Sequence, residues 1–174
     1  SLFPTEQKIN VKDAVSMSQN ASLMLLGSFN SVGALPGNEY ACPGHIRISK
    51  DLGSTWNSVE GIGNSLPIFV PSTMSGCTAS ADLGYWIDSD ISADGKYIYV
   101  LDYMWQYAYP RVIASRDFGT TWNTIHNFNT TACNKKIRLT SISCSSDGQY
   151  VYIIANSFQM PYFNGTTFEC GGLY

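Results

Sequence analysis

Short stretches of this chain alternate apolar and polar residues, and turn residues separate them. Trp86 to Ser92 and Lys96 to Tyr103 are two such runs, joined by Ala93-Asp94-Gly95. Alternation over this length predicts β-strands. Asp-Gly between two such runs predicts a hairpin, because glycine takes a positive φ without steric cost. The same arrangement returns in Cys144-Ser145-Ser146-Asp147-Gly148-Gln149-Tyr150-Val151-Tyr152-Ile153, which matches Ile91 to Val100. A weaker copy is Met17 to Leu26, with Asn20-Ala21 at the turn.

A second repeat lies downstream of the hairpins. Ser49-Lys50-Asp51-Leu52-Gly53-Ser54-Thr55-Trp56 is matched by Ser115-Arg116-Asp117-Phe118-Gly119-Thr120-Thr121-Trp122. Each octet follows a strand-like run and precedes a short one. Asp51 and Asp117 suit a turn whose backbone N–H groups bond to the side chain. Gly53 and Gly119 suit a positive φ. Thr55 and Thr121 offer a capping hydroxyl. Trp56 and Trp122 offer a large ring to bury between neighbouring units. Such a turn needs no ligand.

Together the repeats predict three units: strand, hairpin, strand, long loop, strand, Asp turn, strand. Unit one spans about residues 11–61, unit two about 85–128 and unit three about 136–174. No amphipathic helix is predicted. The insertions 62–84 and 129–135 are rich in Gly, Pro, Ser and Thr and read as loops. Four-stranded antiparallel units at this period predict an all-β domain of propeller-like blades spanning residues 1–174.

Composition narrows the function. The chain has 174 residues, a length that suits one domain. Charged residues make up 13%, about half the usual share, and the net charge is −3. This balance argues against nucleic acid as the main partner. No apolar run is long enough to span a membrane as a helix.

Five cysteines, Cys42, Cys77, Cys133, Cys144 and Cys170, show no C-x-x-C spacing, so no zinc site is expected. Spread through a Ser/Thr/Asn-rich chain, they read as disulfides of an oxidising compartment. The other reading is five reduced core thiols. Cys144 sits in a strand pattern and is expected to be a buried free thiol. The expected pairs are Cys42–Cys77 and Cys133–Cys170. Sequons occur at Asn20, Asn129 and Asn164, all at expected turns. The sequence opens at Ser1 with no charged leader or apolar core of a signal peptide. Either a signal peptide has been removed or the chain is a fragment. Localisation is therefore expected to be extracellular, secreted or at the cell surface.

The octet S-x-D-x-G-[ST]-T-W resembles the Asp-box, or BNR repeat, of sialidase-type β-propellers. The S-x-D-G-x-Y-[IV]-Y element resembles the inner hairpin of their blades. Unit three departs from the pattern: Tyr162 to Phe168 is at most a degenerate copy, with Phe168 in the Trp place. The resemblance implies that Ser49, Asp51, Gly53, Thr55, Trp56, Ser115, Asp117, Gly119, Thr121 and Trp122 are scaffold residues.

A sialidase would need an Arg triad for the substrate carboxylate, a Tyr–Glu pair and an Asp acid/base. The four arginines are Arg47, Arg111, Arg116 and Arg138, and no triad is recognisable. Neither G-x-S-x-G, a P-loop nor H-E-x-x-H occurs. His45 and His126 read as loop or strand residues. No catalytic, cofactor-binding or metal residue is assigned, no cofactor is expected, and the chain is expected not to be an enzyme.

The aromatic run Tyr97, Tyr99, Tyr103, Trp105, Tyr107 and Tyr109 is unusual. It reads either as packing between blades with an ordered loop, or as an exposed contact surface at Tyr103, Trp105, Tyr107 and Tyr109. The apolar Met104-Trp105 favours a protein contact over a glycan. Three blades do not close a ring of the usual roughly four to eight. Self-association is therefore expected, as a closed dimer or a filament, with the arm of residues 1–10 available to add a strand to a neighbour. The leading expectation is a structural or self-assembling protein. The alternatives are a glycan- or protein-binding module and, behind it, a glycoside-hydrolase fragment.

Overall fold

The computed structural model describes residues 14–27, 30–32, 40–42, 44–60, 62, 83–84, 86–102, 110–127, 136–158 and 172–173. These residues form strands and turns, with no helix among them. The strands are β1 (Ala14–Met17), β2 (Met24–Gly27), β3 (Asn30–Val32), β4 (Tyr40–Cys42), β5 (Gly44–Ser49), β6 (Asn57–Ser58) and β7 (Leu83–Gly84). They continue as β8 (Trp86–Ile91), β9 (Ile98–Asp102), β10 (Arg111–Ser115), β11 (Asn123–Asn127), β12 (Lys136–Cys144), β13 (Val151–Phe158) and β14 (Gly172–Leu173).

Every pairing among the described strands of the sheets is antiparallel, and the sheets follow the repeats. Blade one has the order β1-β2-β5-β6, blade two β8-β9-β10-β11, and blade three β12-β13-β14. The four-stranded antiparallel sheets make this an all-β protein of propeller-like blades. Two elements were not anticipated. The long loop expected between the second and third strands of unit one carries the β3–β4 hairpin, and the end of the 62–84 insertion pairs with β5 as β7.

The three hairpin turns share one hydrogen-bonding scheme. In blade two, Ser92 Oγ donates to Asp94 Oδ1 at 2.7 Å and accepts from the Tyr97 amide at 2.9 Å. In blade three, Ser145 Oγ donates to Asp147 and accepts from the Tyr150 amide at 3.0 Å. In blade one, Ser18 Oγ donates to Asn20 Oδ1 at 3.0 Å and accepts from the Leu23 amide at 3.1 Å. Gly95 (φ 82°), Gly148 (φ 69°) and Ala21 (φ 56°) hold the left-handed position of the turn. Ala21 does so against the steric preference of a residue with a Cβ.

The first strands of the blades lie side by side, β1 against β8 and β8 against β12. They run in the same direction. Ser16 meets Ser89, and the Gln19 amide meets the Ala93 carbonyl three and four residues on. Asp88, Asp90 and Ala93 likewise meet Ser141, Ser143 and Ser146 in ascending order. The apolar core lies in the two seams between blades. Leu23, Leu25, Ile46 and Ile48 of blade one pack with Ile91, Ile98, Val100, Ile113 and Trp122 of blade two. Tyr99, Leu101, Val112 and Ala114 of blade two pack with Leu139, Ile142 and Ile153 of blade three. Fully burying each such side chain contributes about 1.5–3 kcal/mol.

Candidate functional site

The two Asp turns are chemically alike. Ser49 Oγ donates to Asp51 Oδ1 at 2.8 Å and accepts from the Gly53 amide at 2.9 Å. Asp51 also accepts from the Thr55 amide at 2.8 Å and the Thr55 hydroxyl at 2.6 Å. In the second turn Ser115, Asp117, Gly119 and Thr121 repeat these bonds at 2.8, 2.9, 2.8 and 2.6 Å. Trp56 Nε1 donates to the Gly53 carbonyl at 3.1 Å, and Trp122 Nε1 to the Gly119 carbonyl at 3.2 Å. Gly53 (φ 81°) and Gly119 (φ 75°) are left-handed, and so are the preceding Leu52 and Phe118, both at φ 58°. Sequence reasoning missed this pair, because neither residue type prefers that region.

The bonds from Thr121 hold the Asp117 carboxyl down at about 2, and those from Thr55 hold Asp51 below its ordinary value. Ser92 and Ser145 do the same for Asp94 and Asp147 in the hairpins. Each carboxylate is thus committed to its own turn. Such a group supports the fold and has little left to offer a substrate.

Asp88 and Asp90 are different, because they reach into the next blade. Asp88 Oδ2 accepts from the Ser141 hydroxyl at 2.7 Å and the Ile142 amide at 2.9 Å. Asp90 Oδ2 accepts from the Ser143 hydroxyl at 3.2 Å and the Cys144 amide at 2.7 Å. Their other oxygens accept from the Ser89 and Ile91 amides. The result is a comb of two carboxylates stitching β8 to β12. The Tyr99 hydroxyl adds a bond to the Gly148 carbonyl at 2.6 Å across the same seam. Burial raises the Tyr99 phenol above its ordinary value. Cys144, which is half-buried and free, has its thiol pushed up to about 12 by burial and by the Asp90 carboxylate. It is a poor nucleophile at neutral pH.

Arg111 is buried and ion-paired with Asp102 on the neighbouring strand, its Nε and Nη2 both 2.7 Å from Asp102 Oδ2. Arg47 lies exposed on β5 and Arg116 exposed in the second Asp turn. The side chain of Arg138 lies outside the described residues. His45 is on β5 and His126 on β11. Among the described residues no group of His, Cys, Asp and Glu could hold a metal ion, and no helix is long and apolar enough to cross a membrane.

Cys77, Cys133, Cys170, Asn129, Asn164, Tyr103, Trp105, Tyr107, Tyr109 and Phe168 lie outside the described residues, as does the arm of residues 1–10. Cys42 is placed in β4 by its backbone alone. Asn20 sits exposed in the first hairpin turn, its Oδ1 accepting from Ser18 Oγ and from the Ser22 amide.

Among the described residues, large apolar side chains are exposed on the outer faces of blades one and three. Each blade turns a front face toward the preceding blade and a rear face toward the next. Ile98 and Val100 belong to the front of blade two, Tyr99 and Leu101 to its rear, and all four are buried. The repeat puts Met24 and Leu26 at the front of blade one and Tyr152 and Ile154 at the rear of blade three. Tyr150, Tyr152 and Ile154 are exposed, and so are Val15 and Met17 on blade one. Trp122 is 9% exposed in the first seam, whereas Trp56, in the same turn of blade one, is 37% exposed. Clustered large apolar side chains of this kind mark association surfaces.

No protein-family model matches the chain, and no curated protein matches it either. Two solved structures are similar to it at low identity. One is the GH74 xyloglucanase from Xanthomonas campestris, 11% identical with a TM-score of 0.48, covering 80% of this chain and 20% of that one. The other comes from a structural and mechanistic analysis of two prolyl endopeptidases, 13% identical with a TM-score of 0.45, covering 86% and 19%. The chain thus spans about a fifth of the length of each.

Proposed function

We propose that this chain is a secreted, N-glycosylated, non-enzymatic Asp-box protein with a structural role, acting through self-assembly of its blades. The observation that carries the reading is the set of exposed apolar side chains on the outer faces of blades one and three among the described residues, Val15, Met17 and Trp56 on one and Tyr150, Tyr152 and Ile154 on the other. Blade two buries the counterparts of most of these positions, Ile91, Tyr99, Leu101 and Trp122. Association would remove such exposed apolar surface from water. The turn carboxylates support a scaffold role, because their oxygens are spent on their own turns. The sequons and the spread of cysteines support an oxidising compartment.

The test is the native mass of the full chain by light scattering after size exclusion. A discrete dimer supports a ring of two half-propellers, and large polydisperse species support an open polymer. A monomer near 19.1 kDa plus glycans at all concentrations defeats the reading. A monomer that binds sugars or a protein would favour the second reading, an extracellular binding module using the aromatic segment Tyr103 to Tyr109.

A further inference from the structure

The rear face of blade three, where Tyr150 and Tyr152 are exposed, carries the aromatic pair seen at the rear of blade two. Tyr150 and Tyr152 occupy the repeat positions of Tyr97 and Tyr99. In the intact seam, the Tyr97 side chain lies against Gly148 of the following hairpin turn. A Cβ on Gly148 would stand only 2.6 Å from the Tyr97 Cβ. The Tyr99 hydroxyl then reaches the Gly148 carbonyl at 2.6 Å. A tyrosine pair at a blade's rear therefore fits a turn that has glycine at this position. The other seam uses Leu23 above Gly95, where an added Cβ would stand 3.3 Å from the Leu23 Cβ.

The front face of blade one offers the matching turn with one change: Ala21 stands where Gly95 and Gly148 stand in the other blades. Its left-handed backbone, at φ 56°, presents a carbonyl at the repeat position that Tyr99 uses. Its methyl occupies the space that a tyrosine at position 150 would need. The rest of the front face suits an aromatic rear. Val15, Met17, Met24, Leu26 and Trp56 are apolar. Arg47 stands at the place of Ile113 and can stack its guanidinium on a tyrosine ring.

We infer that copies of this chain associate head to tail, the rear of blade three on the front of blade one of a second copy, and that the Ala21 methyl keeps this contact weaker than the internal seams. The Tyr152 hydroxyl bonds to the Ala21 carbonyl of the neighbour, and Tyr150 turns aside from the Ala21 methyl. The inference rests on the self-assembly reading above and supplies its partner, its polarity and its limit. A heterologous contact of this kind closes on itself only if the rotation per copy divides a full turn.

Sedimentation equilibrium on the full chain and its variants tests it. Ala21→Gly removes the methyl and relieves a left-handed alanine, so the fold is kept, and the dissociation constant is expected to fall roughly tenfold. Tyr152→Asp and Met17→Asp change exposed residues and are each expected to give monomers. Mixed in equal amounts, these two variants are expected to form a one-to-one complex, because each keeps the face that the other lacks. A contact between identical faces could not do this. If the wild type associates but Ala21→Gly changes nothing and the mixture stays monomeric, the head-to-tail inference is overturned and self-assembly proceeds through another surface. If neither wild type nor Ala21→Gly associates at any concentration reached, the self-assembly reading falls with it.

Discussion

The two internal seams join similar blades by different chemistry. Between blades one and two the contact is mainly apolar, with Trp122 and Ile113 set against Leu25, Ile46 and Ile48. Its side-chain hydrogen bonds are the Ser16–Ser89 hydroxyl pair at 2.9 Å and the buried Trp86 Nε1 donating to the Gly44 carbonyl at 2.6 Å. Between blades two and three the seam adds the Asp88 and Asp90 comb and the Tyr99 bond to Gly148. Apolar burial is strong but non-directional, so it tolerates small slips. A carboxylate bonded to a backbone amide and a hydroxyl does not. The second seam thus ties neighbouring inner strands with two carboxylates, where the first relies on apolar packing, a hydroxyl pair and the Trp86 indole.

Substitutions can sharpen or break this contrast. Leu25→Ala, at a fully buried position of the first seam, should have the largest effect, about 3 kcal/mol in urea unfolding. A loss under about 1 kcal/mol would mean that this seam is not the packed core described here. Gly148→Ala comes next, at about 2–3 kcal/mol, because the new methyl meets the Tyr97 Cβ and the φ of 69° is strained for alanine. Gly119→Ala should cost less. Its methyl meets the Ile48 Cδ1, the free end of a flexible side chain.

Asp88→Asn should remove about 1–2 kcal/mol, since an amide cannot accept on both sides at once. Its signature is faster hydrogen exchange at the Ile142 amide with the first seam unchanged. Acid should give the smallest and most gradual effect. The turn carboxylates titrate below their ordinary value of 3.8, Asp117 at about 2. Their contribution is whole above roughly pH 5 and is lost as pH falls toward 2. The melting temperature should drop through that window, and Asp117→Asn should flatten the drop.

The parts of this fold legible in sequence are those decided by neighbours along the chain. Ser92-x-Asp94-Gly95 and Ser115-x-Asp117-x-Gly119 contain both partners of their hydrogen bonds within a few residues. Their spacing therefore exposes them. The inter-blade contacts were not legible, because Asp88 and its partner Ile142 lie far apart in sequence. Alone, Asp88 and Asp90 read as the polar side of an alternating strand. The β3–β4 hairpin escaped because Asn30-Ser31-Val32 is too short to show a period. Cys144 was expected to be buried and is half-buried.

The unequal exposure of Trp56 and Trp122 turns the protein into its own optical reporter. Both indoles sit in the same turn and donate to the same carbonyl position, so they differ in surroundings more than in conformation. Trp56 should emit toward the red and be quenched by iodide, while Trp122 stays shielded. Whatever comes to cover the front of blade one will shift the Trp56 emission to the blue, so occupancy can be followed in dilute solution without any label.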